Sequence, residues 1–235
     1  MHLHKEKHLV YMAWDDDLCK ALKSESIEVL PSLNLLHLRE NERQHADMQL
    51  CIIKNKAFIP ECCRSIENKL TECGYDVVVC SSLSKVYPHN VSLNIALIGN
   101  RLFCKSSALD NKIMDYTKTE NLDIINVNQG YTKCSTLILN DNAIITADPT
   151  IYDTALKQGI EALRISSGDI QLEGAEYGFI GGCSGVINDT VYFFGDISKH
   201  KDSLEIINFL ANHNMKYVCL GDSELKDIGG FVLLR

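Results

Sequence analysis

No run of four basic residues occurs anywhere in this 235-residue chain, and 31 acidic side chains against 23 lysines and arginines leave a formal charge of −8. That balance offers no electrostatic footprint for a phosphate backbone or an anionic membrane, so neither nucleic acid nor membrane is an expected partner. No apolar stretch approaches the roughly 18 residues a membrane-spanning helix needs. The opening MHLHKEKHLV lacks the apolar segment of roughly 7 to 15 residues that marks a secretory signal, so the expected location is the cytoplasm. A glycine-rich phosphate loop is missing too: GFIGG, Gly178 to Gly182, does not have the G-x-G-x-x-G spacing, and no cofactor is expected.

Ten cysteines are present, but no C-x-x-C pair. Without paired-ligand spacing the expectation is reduced thiols and no metal. The adjacent Cys62 and Cys63, and the His2, His4 and His8 group on a terminus expected to be loose, do not alter it.

At 46% hydrophobic residues the chain can bury a substantial core, and a single domain over 1–235 is expected. Four segments say nearly the same thing: DMQLCIIKNKAFIPE (Asp47 to Glu61), SLNIALIGNRLFCK (Ser92 to Lys105), KCSTLILNDNAIITAD (Lys133 to Asp148) and GGCSGVINDTVYFFGD (Gly181 to Asp196). Each joins two apolar runs at a polar turn centred on Asn55, Asn100, Asp141 or Asp189, which predicts hairpins. Helical spacing follows each: Cys63, Ile66, Leu70; Leu109, Ile113, Tyr116; Ile151, Ala155; Leu204, Ile207, Leu210. Asp148-Pro149 reads as a helix start, and Gly74 and Gly159 as helix ends. Further strands are expected in YDVVVC, LDIINV, IEALRIS and KYVCLG.

A fifth unit is split between the chain ends. DIGGFVLLR supplies a strand at the C-terminus, and HLVYMAW, DDLCKALKSESI and EVLPS supply strand, helix and strand at the N-terminus. Joining them predicts a closed α/β ring of five ββαβ-type units, because closure protects edges that an open array leaves bare.

The turn-anchored units, YGFIGGCSG and DIGGFVLLR resemble the pentein, or guanidine-modifying enzyme, superfamily, in a bacterial branch. Its members include arginine and agmatine deiminases, dimethylarginine dimethylaminohydrolases, amidinotransferases and a non-catalytic ribosome-associated translation factor. The resemblance covers nearly the whole chain and implies a five-bladed β/α-propeller. It also implies a cysteine thiolate attacking a guanidinium or amidine carbon, a histidine moving the proton, and carboxylates gripping the cation. In those enzymes the cysteine follows the glycine pair of the closing strand, where this chain has Leu233 after Gly229-Gly230. The fourth-unit histidine is missing as well, since none occurs between His89 and His200.

A different constellation is therefore expected to line the central channel. Alternation along the first strand of each unit places Asp47 and Gln49, Ser92 and Asn94, Lys133 and Ser135, and Gly181 and Cys183 on one polar face. Cys134 and Cys183 are alternative thiolates, with Lys133 expected to stabilise Cys134 as thiolate. His45 is the acid/base candidate. Asp47, Asn94, Lys133 and Asp227 are the substrate-binding candidates, Asp227 beside glycines that admit close ligand approach. Ser166 to Gly178, the longest irregular insertion, reads as a linker, with a lid over the channel as the alternative.

Two functions fit. One is a cysteine-dependent hydrolase or transferase acting on a small cationic guanidine-type or amidine-type ligand in the channel. The other is a non-catalytic pentein-type protein that binds a protein partner.

Overall fold

The computed structural model describes residues 6–234. The first group of elements is β1 (His8–Met12), α1 (Asp16–Ser24) and β2 (Ile27–Pro31). Helix α1 begins where the Asp15 carboxylate accepts the Asp17 and Leu18 amides, and its apolar face buries Leu18 and Leu22. A short helix α2 (Ala46–Gln49) precedes β3 (Cys51–Ile53), β4 (Lys56–Pro60), α3 (Glu67–Glu72) and β5 (Asp76–Cys80). Next come β6 (Ala96–Ile98), β7 (Arg101–Cys104), α4 (Asn111–Glu120) and β8 (Asp123–Asn126). They are followed by β9 (Thr136–Asn140), β10 (Ala143–Thr146), α5 (Pro149–Lys157) and β11 (Glu161–Arg164). A short strand β12 (Ile170–Gln171) leads to β13 (Ser184–Ile187), β14 (Thr190–Phe193), α6 (Ser203–Asn212) and β15 (Lys216–Cys219). The chain finishes with β16 (Leu225–Lys226) and β17 (Phe231–Leu234).

Four of the five three-stranded sheets pair a hairpin antiparallel and then, across a helix, add a parallel strand: β3-β4-β5, β6-β7-β8, β9-β10-β11 and β13-β14-β15. The fifth has the same order in β17-β1-β2, with Leu9 opposite Leu234 in the antiparallel pair. The C-terminal strand completes the sheet that the N-terminus begins, as DIGGFVLLR predicted. All four hairpin turns fall at the expected residues, the left-handed Lys54 and Asn188 and Gly99 among them. Asp148 caps α5 through the Thr150 and Ile151 amides, and Gly74 and Gly159 take positive φ just past α3 and α5.

Apolar seams join the sheets in pairs. Tyr11 and Leu234 meet Leu50, Ala57 and Ile59; Ile53 and Phe58 meet Leu102 and Ile113; Ile98 and Phe103 meet Ile144 and Ile151; Leu137 and Ile145 meet Phe193 and Leu210; and Tyr192 and Phe194 meet Val10, Met12 and Phe231. Each fully buried side chain of this size contributes roughly 1.5–3 kcal/mol. Among the described residues no helix is long and apolar enough to cross a membrane.

Several sequence expectations need correction. The apolar stripe of α6 runs through Ile206 and Leu210, while Leu204 is 66% exposed. His8 opens β1 rather than lying on a loose end, and His2 and His4 lie outside the described residues. Ser166 to Gly178 is tied down and not a plain linker: β12 pairs in parallel with β16, Asp227 N donates to Gln171 O, Lys201 N donates to Asp169 Oδ2, and Leu172, Ala175 and Tyr177 line a cavity.

The largest departure concerns the polar face. Asp47 and Gln49 sit in α2, and Ser92, Asn94, Lys133, Ser135, Gly181 and Cys183 sit in turns that end before β6, β9 and β13 start. Strand alternation therefore does not apply to them. Their backbone amides close turns instead of joining a ladder, as in Ser135 N to Tyr131 O and Cys183 N to Phe179 O. Gln49 illustrates the outcome: it is fully buried, accepts Tyr11 OH and Leu33 N, and donates to Leu33 O and Arg43 O.

The seam between the last and fourth groups depends on a glycine. A Cβ on Gly185 would lie 2.3–2.5 Å from the Phe231 ring. Gly185→Ala is expected to destabilise the fold by about 1–3 kcal/mol, read as a lowered midpoint in urea with an unchanged slope. Gly168→Ala is no control, since that residue has φ of 114°; Ala175→Gly in the exposed insertion serves better.

Candidate active site

Five segments, the helix α2 and the stretches just before β6, β9, β13 and β17, converge by hydrogen bonds. Asn94 Oδ1 accepts Lys133 N at 2.7 Å and Cys134 N at 3.3 Å, and its Nδ2 donates to Asp47 O at 3.3 Å and to Cys134 Sγ at 3.3 Å. Gly182 N donates to Cys134 O, and Ile228 N and Gly230 N donate to Gly182 O. Asp47 N, finally, donates to Gly229 O at 3.4 Å. Glycine is required at 229, where φ is 84° and a Cβ would lie 2.4 Å from His45 Cα.

These contacts assemble most of the predicted constellation from distant segments. Cys134 Sγ donates to Asp47 Oδ2 at 2.7 Å. One ligand-type atom each from His45, Asp47 and Cys134 lies within 4.8 Å of the others, and all three residues are buried. Asp227 Oδ1 is 4.0 Å from His45 Nε2. The Asp227 carboxylate is itself held by Phe179 N at 2.8 Å and Gly229 N at 3.0 Å. Cys183 takes a different place: its thiol donates to Ile180 O at 3.4 Å, and it belongs to the apolar seam of β9, β10, β13 and β14. Lys133 and Asp47 border a second cavity of about 260 Å³, which Leu233 also lines.

The electrostatics invert one expectation. Burial raises the Cys134 thiol well above its ordinary range, and the Asp47 and Asp227 carboxylates raise it further. Adjacent Lys133 does not make it a thiolate, because two nearby carboxylates in a desolvated site outweigh one ammonium at the rim. Asp47 is pushed up to about 6 by burial, against the downward pull of His45, the Cys134 hydrogen bond and Lys133. Cys183 is likewise raised, by burial and then by Asp227. Asp47 Oδ1 has no hydrogen-bond partner at all.

Above this cluster is a cavity of about 160 Å³ lined by His45, Cys134, Asp227, Glu42, Tyr131 and Phe179, among others. Sequence reasoning missed the last three. Tyr131 stacks on Phe179 with centroids 6.3 Å apart, and Tyr177 meets Phe179 edge-on at 6.2 Å. Glu42 Oε1 accepts Tyr131 OH at 2.7 Å, and Oε2 accepts Asn90 Nδ2 at 3.0 Å. A signal was available: Tyr131 stands three residues before Cys134, and Tyr177 and Phe179 flank a glycine just before the matching turn. A cavity of this size, walled by aromatic faces and carboxylates, suits a small cationic head group rather than a drug-sized molecule.

The chain belongs to the family of unknown function DUF6873. The match spans residues 9–232. No curated protein sequence matches. Among solved structures the chain is similar to DDAH from Pseudomonas aeruginosa, a cysteine-to-serine mutant complexed with citrulline, at 10% identity and TM-score 0.56 over 98% of both chains. It is also similar to C. jejuni agmatine deiminase, at 14% identity and TM-score 0.55 over 92% of this chain and 87% of that one. A third is SxtG, an amidinotransferase from Microseira wollei in the saxitoxin biosynthetic pathway, at 11% identity and TM-score 0.53 over 85% and 72%. At such identities the likeness is one of fold, and the chain has the pentein α/β fold that the sequence resemblance implied.

Two measurements follow from the site. Because the folded-state pKa of Asp47 is raised from 3.8 to about 6, its contribution to stability is fully present below about pH 4 and is lost as pH rises through about 6. Asp47→Asn should therefore gain on the native protein across that window, by about 3 kcal/mol at pH 8 and by little at pH 4, in urea titrations at the two pH values. The second concerns thiol reactivity. Half-buried Cys62 is held below the usual thiol range, chiefly by a hydrogen bond from Cys63, whereas Cys134 is buried and raised. Limited iodoacetamide treatment at pH 7 followed by peptide mapping should label Cys62 first and leave Cys134 unlabelled.

Proposed function

We propose that the chain is a pentein-type hydrolase or transferase that uses Cys134 to attack a small guanidinium or amidinium compound. The supporting observation is the Cys134, Asp47, Asn94, His45 and Asp227 cluster, of which Cys134, His45 and Asp227 line an aromatic, carboxylate-bearing cavity. The five seams and the circuit of turn hydrogen bonds, which runs from Asp47 through Asn94, Cys134 and Gly182 back to Gly229, support a closed five-bladed ring around this cluster. The net charge of −8 and ten free cysteines fit a cytoplasmic location and a small cationic partner, with no nucleic acid or membrane involved.

In this reading the site without a cation holds the thiol neutral. A guanidinium entering the cavity beside Asp227, over the Phe179 and Tyr131 rings, offsets the negative field that raises the thiol. The Cys134 proton passes to Asp47 Oδ2 along the existing hydrogen bond. The sulfur lone pair forms a bond to the central carbon, and His45 as imidazolium gives its proton to the departing amine as the C–N bond breaks. The neutral imidazole then takes a proton from the water or acceptor amine that displaces the sulfur, which recovers its own proton from Asp47. Asn94 Nδ2 keeps the sulfur aimed throughout. Cys183, packed in a seam, takes no part.

Leu233 at the position of the family's closing-strand cysteine favours a second reading, in which the ring binds a ligand or a protein partner without turning it over. Incubating the protein with arginine, agmatine and methylated arginines while following ureido product and ammonia separates the two. The catalytic reading expects turnover with at least one compound, loss of about a thousandfold or more in Cys134→Ser, and near-native rates in Cys183→Ser. No turnover anywhere, with a stoichiometric protein partner whose capture survives Cys134→Ser, would establish the binding reading instead.

A further inference from the structure

The same cluster has a property that thiol chemistry does not require. Asp47 Oδ1 is buried and unpartnered. A thiol, a carboxylate and an imidazole lie within 4.8 Å of one another, and a second buried carboxylate, Asp227, is 4.0 Å from the imidazole. The local field is negative, with His45 the only cationic-capable group in the triad. A buried carboxylate oxygen left unpaired is costly, so the arrangement calls for a positive partner.

We infer that His45, Asp47 and Cys134 form a binding site for a thiophilic divalent cation of the zinc class. The donor set selects the metal: one thiolate and one imidazole with a single carboxylate favour zinc and its neighbours over magnesium or calcium, which take all-oxygen shells. Tetrahedral coordination with bonds of roughly 2.0–2.3 Å requires donors to close in by about an ångström from the widest separation seen here. Cys134 Sγ and Asp47 Oδ2, at 2.7 Å, are neighbours that open to about 3.5 Å when a tetrahedral cation replaces the thiol proton between them. The outer shell is also in place. Asn94 Nδ2 donates to the sulfur, and Asp227, fixed by two backbone amides, stands beside the imidazole, where a carboxylate orients the ring and raises its basicity. His45 and Cys134 line the cavity of about 160 Å³, which provides the access path and leaves the fourth position to water or a ligand.

Spacing in the sequence could not reveal such a site. Its donors come from two turns nearly ninety residues apart, and the absence of C-x-x-C speaks only to sites built within one loop. The inference rests on the donor geometry and not on the thiol-attack reading. A bound cation engages the sulfur lone pair that attack requires, so the two states exclude each other in any one molecule.

Chelator-treated, reduced protein titrated with Co²⁺ tests it without any turnover assay. The expected result is one equivalent of cobalt producing a near-ultraviolet sulfur-to-metal band and tetrahedral visible bands, both discharged by Zn²⁺. Cys134→Ser should lose the near-ultraviolet band, and His45→Ala and Asp47→Asn should each weaken binding at least about tenfold. Cys62→Ser/Cys63→Ser should leave the spectrum unchanged, which removes the vicinal pair as its source. If Cys134→Ser does not fold by circular dichroism, the Asp47→Asn titration decides. No sulfur band in the native protein, a band that persists in Cys134→Ser, or equal affinity in Asp47→Asn would overturn the inference. Cobalt uptake without guanidine turnover would leave it standing while removing the catalytic reading.

Discussion

Asn94 uses its whole amide to tie two other segments together. Its oxygen takes the Lys133 and Cys134 amides, and its nitrogen reaches Asp47 O and Cys134 Sγ. Those bonds are buried, so each is made in a low dielectric and cannot be exchanged for water without cost. Everything at the centre follows from this crosslink. It sets the separation of Asp47 from Cys134, aims the sulfur, and links turns that belong to three different sheets. Gly182 and Gly229 extend the circuit, because neither position has room for a side chain against Asp227 and His45.

That architecture places charge where folding alone would not. Two carboxylates and a thiol share a desolvated volume, and Asp47 responds with a pKa of about 6, while the thiol is raised. A core optimised for stability would replace such a group with apolar side chains. The surrounding seams are of that apolar kind, and they include Cys183, Cys63 and Cys51, whose thiols pack as small hydrophobes. The contrast separates Cys134 from Cys183, Cys63 and Cys51: of these four it alone has a carboxylate as hydrogen-bond partner. Strained or electrostatically frustrated groups of this kind cluster where ligands bind.

The sequence was legible wherever local chemistry decides the backbone. Turn residues at Asn55, Asn100, Asp141 and Asp189 fix hairpins through left-handed or turn preferences that depend on a few neighbours. Asp148-Pro149 fixes a helix start, and the apolar runs fix strands. The pre-strand turns were illegible for the opposite reason. Asp47, Asn94 and Lys133 read as strand residues because they abut apolar runs, yet their conformation is set by bonds to segments 39 or more residues away. Even so, Asp47, Asn94 and Cys134 meet, because similar distances from each turn centre bring residues to the same level of each unit, whether or not they lie on a strand. The parity argument failed, and the choice between Cys134 and Cys183 had to await the turns. The aromatic wall of Tyr131, Tyr177 and Phe179 was missed because apolar rings near glycines read as core.

Such an architecture also bears on Leu233. A fold built from units that each present one turn to a common centre gives a reactive group several possible points of attachment. Leu233 lies on β17 and faces the cavity it shares with Asp47 and Lys133, while Cys134 reaches the neighbouring cavity from the turn before β9. The Asp47 to Cys134 hydrogen bond stands between the two. A nucleophile or a metal-binding sulfur supplied from the third hairpin can therefore address the same centre as one supplied from the closing strand, approaching it from another blade of the proposed ring. What must be kept is the central pair of carboxylates and the glycines that admit them. Asp227 beside Gly229, with Gly182 lacking the Cβ that would fall 2.0 Å from its oxygen, meets that condition. The position of the sulfur in the sequence is then free to differ while the charge that a cationic ligand would meet stays in place.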